Sequence, residues 1–75
     1  MDEATIKYFE DDKNVYKELG EARQAFKKGT TFEQYDNLIK GLTIMSLYCS
    51  EGVLHMVHAT IDEAMTRQAY AITMR

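Results

Sequence analysis

The sequence predicts an all-α fold, on three observations. Residues 32–64 carry an unbroken apolar stripe: Phe32, Tyr35, Leu38, Ile39, Leu42, Met45, Cys49, Val53, Met56, Val57, Thr60 and Ala64 share one face at ~100° per residue. The chain has no proline and only four glycines in 75 residues, so little interrupts a helix. Between positions 27 and 34, Lys27-Lys28-Gly29 reads as a helix stop and Thr31 with Gln34 as a capping box that starts the next helix. Together these predict a single domain over 1–75: an antiparallel two-helix hairpin with a helix over 2–28, a turn at 29–31 and a long second helix over 32–73.

The first helix begins at Asp2, whose carboxylate suits free backbone N–H groups, with Glu3 at the positive end of the helix dipole. Ala4, Tyr8, Phe9, Val15, Tyr16, Leu19, Ala22 and Phe26 then fall on one side. Asp12 and Arg23 sit at the margin of that stripe and are expected to reach solvent. Gly20 is a weak point that marks a kink or a close neighbour. A turn this short predicts side-by-side antiparallel helices, with Phe26 level with Tyr35, Leu19 with Leu42, Tyr16 with Met45 and Phe9 with Gly52.

The second helix is expected to be continuous because the stripe keeps phase through Gly52. A second capping-box pattern, Thr60 with Glu63, supports the alternative of a break near residues 50–52 and a three-helix bundle. A β-hairpin turning at Ser50-Glu51-Gly52 is the least favoured pattern, since its alternation leaves apolar residues on both faces. The second helix also has a narrower apolar line, with Leu47, Leu54 and Ile61 at seven-residue spacing and Ile44, Met65 and Ile72 beside it. A helix with two apolar faces needs two partners, so these six residues are the candidate partner-binding set. Phe26, Gly29, Thr31, Gln34, Tyr35 and Leu38 are the candidate turn and core of the hairpin.

Composition narrows the function. So short a chain buries only ~60% of its unfolded surface, and one cysteine precludes an internal disulfide, which leaves association as the expected source of extra stability. The net charge is −3 and the nine Lys and Arg are interleaved with acids, unlike the concentrated basic face of a nucleic-acid binder. The acidic N-terminus has no signal-like apolar run and no stretch reaches membrane-span length, so a cytoplasmic location without a membrane span is expected.

Three constellations bear on chemistry. Glu51, His55, His58 and Asp62 form one ridge of a helix, the arrangement behind a helical metal-binding alternative using His55 and His58. The ridge is opposite the apolar stripe, where solvated charge is ordinary, and its spacing fits no established metal motif, so no metal or cofactor is expected. Cys49 and His55 are ~120° apart on a helix and cannot form a nucleophile–base pair. No phosphate loop or nucleophile elbow is present, and a hairpin is not expected to enclose a ~300 Å³ pocket, so catalysis is not expected. The tyrosines at 8, 16 and 35 are assigned to the core, and Tyr48 and Tyr70 to an interface.

The run Ala25-Phe26-Lys27-Lys28-Gly29-Thr30-Thr31-Phe32-Glu33-Gln34-Tyr35-Asp36-Asn37-Leu38 resembles the hairpin turn of the small co-chaperones of type III secretion needle subunits, the YscE/PscE type. Phe32 stands where a proline opens the second helix in that family, and both residues suit a first helical position. The resemblance implies a role, not a reaction. The chain would pair with a second, tetratricopeptide-like chaperone and keep a needle subunit unpolymerised in the bacterial cytosol. It assigns Gln34, Tyr35 and Leu38 to the turn and core. The alternative is a homodimeric helical regulator or inhibitor, phage- or plasmid-encoded, using the same apolar line; a homo-oligomer in the absence of partners fits either role.

Overall fold

The computed structural model describes residues 2–73, with the side chains of 2–72; Met1, Met74 and Arg75, and so the ends of the expected 1–75 domain, lie outside the described part. The described residues form four helices and no strand: α1 (Glu3–Glu10), α2 (Asp12–Gln24), α3 (Phe32–Tyr48) and α4 (Glu51–Thr73). The all-α class holds. Each of the two expected helices, however, is divided.

The helix expected over 2–28 turns at Asp11, whose backbone is extended (φ −91°, ψ 117°). This one residue ends α1 and caps α2, its carboxylate accepting from the Lys13 amide at 3.0 Å. Aspartate offers the backbone a local hydrogen bond that competes with helix. Asn14 Nδ2 donates to the Tyr8 carbonyl at 3.0 Å, an acceptor it shares with the Asp11 amide at 3.4 Å, so the end of α1 is tied to the start of α2. The bend sends α1 onto α3 and α2 chiefly onto α4, instead of laying α2 along α3 as the short turn predicts. Asp2 caps α1 as expected, accepting from the Thr5 amide at 2.8 Å.

α2 ends at Gln24, short of the expected residue 28, and Thr30 Oγ1 closes the connection by donating to the Ala25 carbonyl at 2.7 Å. Gly29 adopts φ 99°, the left-handed conformation glycine accommodates best, but in this loop and not directly behind a helix end. The capping box forms on both sides: the Gln34 amide donates to Thr31 Oγ1 at 3.1 Å and the Thr31 amide to Gln34 Oε1 at 2.8 Å.

The helix expected over 32–73 is broken at Cys49, where the backbone turns extended (φ −72°, ψ 161°), and α4 packs back along α3 in the most extensive contact between elements. Unbroken, it would be roughly 63 Å long. The whole molecule measures 38 Å along its longest axis. The break lies at the start of the expected alternative, and local chemistry favours it. Thr43 and Ser46 turn their hydroxyls onto the carbonyls of Ile39 and Thr43, at 2.7 and 2.6 Å. Such back-bonding weakens a helix. Ser50 Oγ then donates to the Asp12 carboxylate at 2.8 Å, tying the corner to the start of α2.

Burial supplies the driving force. Folding back lets the stripe cover itself, so that Leu42 and Met45 share a core with Val53, Val57 and Ala64, and α2 adds Val15, Leu19 and Ala22. Each large apolar side chain fully buried in this way stabilises the fold by about 1.5–3 kcal/mol. Phe9, Phe26, Leu38, Ile39, Cys49, Met56 and Ile61 pack around the edge. Every member of the long stripe is buried or half-buried. Tyr16, in contrast, is 52% exposed and does not face Met45 as expected. Thr60 opens no helix: it is fully buried within α4 and its hydroxyl donates to the Met56 carbonyl at 2.8 Å. Neither Gly20 nor Gly52 is a point of close approach, since a Cβ at Gly20 would meet nothing and one at Gly52 only Ser50 Oγ at 3.8 Å; Phe9 does not pack on the Gly52 backbone.

Candidate functional site

On α4 the buried Val53, Val57, Thr60 and Ala64 mark the inner side. Leu54, Ile61, Met65 and Ile72 lie ~70–110° around the helix from that side, on a single flank. Leu54 and Ile61 are half-buried, and Met65 and Ile72 are each 53% exposed. Ile61 packs against the core and joins the flank to it. Arg67, on the opposite flank, lies over the Phe26 ring at 5.4 Å and pairs with Glu63 at 3.2 Å. The α2–α3 connection therefore covers that side of α4, and the Leu54–Ile72 flank turns away from it. On α3, Leu47 is 68% exposed, the most of any large apolar residue among those described, and Ile44 is half-buried. The break thus divides the six candidate residues between two helices, with four of them gathered on α4.

Phe26 and Tyr35 bring their rings to 6.1 Å, Tyr35 is buried and Leu38 packs on the core. Gln68 Nε2 donates to the Phe32 carbonyl at 3.3 Å and sets the register of α4 on α3. That bond joins helix positions with no local sequence signal. The Asp12–Ser50 bond is likewise invisible in sequence; Asp12 reaches solvent as expected and accepts this bond there.

Two open grooves lie on the surface beside the core. Because α2 leans on α4, a groove of about 870 Å³ opens between α2, the 25–30 loop and α3, with Ala22, Leu38, Leu42 and Met45 on its floor and Glu18, Glu21, Lys27 and Lys28 at its rim. A second, of about 860 Å³, lies between the loop and the end of α4, lined by Lys27, Lys28, Phe32, Arg67 and Tyr70 among others. Both are open clefts.

Cys49 lines neither cleft. It is half-buried at the α3–α4 corner; burial pushes its thiol up from the ordinary value, a backbone hydrogen bond offsets part of that rise, and the Asp12 carboxylate adds a smaller push upward, so the inert protonated form is favoured. Tyr8 Oη donates to Glu18 Oε2 at 2.9 Å, and that bond is the main cause raising the phenol. The Thr5 amide holds the Asp2 carboxyl below its usual range. Glu51, His55, His58 and Asp62 are all exposed, and among the described residues no three His, Cys, Asp or Glu side chains converge on a metal position.

These features define the class: an all-helical chain that leaves an apolar flank open on α4. No family model, curated protein or solved structure matches it. No helix among the described residues is long and apolar enough to cross a membrane.

Proposed function

We propose that this chain acts by binding protein and not by catalysis, as a cytosolic co-chaperone. Its apolar flank pairs with a second, tetratricopeptide-like chaperone, and the complex keeps a type III secretion needle subunit unpolymerised. The observation that carries the binding role is the exposure of Leu47, Met65 and Ile72 on the two helices that otherwise build the core. Large apolar side chains so placed are characteristic of surfaces that a partner covers. The turn from Ala25 to Leu38, with its formed capping box, supports the choice of partner. A partner that binds only the folded chain raises its stability by mass action, which suits a domain of this size.

The test is co-expression of the tagged chain with the needle operon of a type III secretion system, with bound proteins identified by mass. The expected result is recovery of a helical-repeat chaperone and the needle subunit with the wild type, and loss of both with Leu54→Glu, which keeps its helical circular dichroism. Absence of both from the wild-type eluate refutes the co-chaperone role.

A further inference from the structure

The apolar flank of α4 is palindromic. Leu54 and Ile72 stand nine residues either side of Glu63, and Ile61 and Met65 stand two residues either side. Laid against a second α4 running the opposite way about that centre, Leu54 meets Ile72 and Ile61 meets Met65, each pair occurring twice. An isologous two-fold interface requires this self-complementarity. Glu63 does not obstruct the axis, because it lies on the other flank, paired with Arg67. The remaining exposed or half-buried positions of the flank are His58 and Gln68, and Gln68 is occupied with the Phe32 carbonyl. No Asp, Glu, Lys or Arg lies on the flank between Leu54 and Ile72, so no like charges meet.

We propose that a second copy of this chain covers the flank, with the two α4 helices antiparallel and centred on Glu63. Leu54 to Ile72 spans ~27 Å of helix. Taken with the ~10–12 Å width of one helix, the flank amounts to roughly 300 Å² per copy, or about 600 Å² for the pair, the size of a weak and transient contact. The dimer therefore exchanges on dilution, and a heterologous chaperone on the same face displaces the second copy. The inference rests on the pattern of the flank and stands whichever heterologous partner the chain has.

Sedimentation of the purified full chain from millimolar to micromolar concentration tests it. The mass should fall from twice 8.7 kDa to 8.7 kDa across the series. Met65→Glu, at an exposed position outside the core, should be monomeric throughout with unchanged helicity. Register is read by mixing two single-cysteine chains, Leu54→Cys and Ile72→Cys, each in a Cys49→Ser background; oxidation should link unlike chains in preference to like ones. A monomer at every concentration overturns the dimer. A dimer that survives Met65→Glu overturns the face, and preferential linkage of like chains overturns the antiparallel register. None of these readouts involves the chaperone, so the dimer and the co-chaperone role fail separately.

Discussion

The fold-back of α4 on α3 makes a quantitative prediction for the pair Leu42 and Val57. Both are buried in one core, 3% and 0% exposed, and the Gln68–Phe32 bond sets a register that brings them level. Leu42→Ala should cost about 3 kcal/mol and Val57→Ala, with two methyls lost and a smaller cavity, about 2 kcal/mol. Against a total of about 4–11 kcal/mol for a chain of this length, these are large fractions, so the variants are best compared in urea with a stabilising osmolyte. Residues sharing one cavity do not add: the double variant should lose less than the sum, by at least about 0.5 kcal/mol. In an unbroken helix the two positions would be ~22 Å apart. Independent sites at that separation add to within about 0.3 kcal/mol. Denaturation followed by circular dichroism at fixed protein concentration gives the cycle, and strict additivity would refute the fold-back.

Two further predictions follow from local geometry. Gly20 is exposed within α2 with open space where a Cβ would go, whereas Gly29 holds φ 99°. Gly20→Ala should therefore stabilise by about 0.5–1 kcal/mol, and Gly29→Ala should destabilise by about 1 kcal/mol; shifts of the same sign in thermal melts would contradict this. Burial raises the Cys49 thiol above its ordinary value of 9.0. Because the folded value is the higher one, stability is complete below about pH 9 and declines as pH rises through it. Iodoacetamide at pH 8 should accordingly alkylate the native chain more slowly than the urea-unfolded chain, and equal rates would show an open thiol.

Much of this fold is legible residue by residue. The stripe from Phe32 to Ala64 identifies the buried side of both α3 and α4, because burial follows helical phase whether or not the helix is broken. Asp2 and Thr31 with Gln34 cap helices as their local chemistry requires. The breaks were harder to read. Asp11 and Cys49 are both compatible with a helix interior in isolation, and persistence of phase through Gly52 is a poor guide to continuity: a two-residue non-helical corner between Tyr48 and Glu51 leaves the following stripe facing the same core. The six candidate interface residues were legible as apolar positions off the main stripe. Their division between α3 and α4, with Ile61 partly drawn into the core, depends on the corner.

By itself, then, the sequence determined the helical class, the caps at Asp2 and Thr31, and the buried side of α3 and α4, since the caps depend on interactions a few residues apart and the buried side on helical phase. The tertiary structure decided where the helices end and which of them meet. An isolated helix over 32–73 would leave much of its apolar stripe to the solvent, with only the shorter N-terminal segment to cover it. Interrupting that helix at Cys49–Ser50 loses a few backbone hydrogen bonds, and the corner is held by Ser50 on Asp12. The burial of Leu42 and Met45 with Val53, Val57 and Ala64 outweighs that loss. It also turns the Leu54–Ile72 flank outward, where the palindrome around Glu63 becomes a surface.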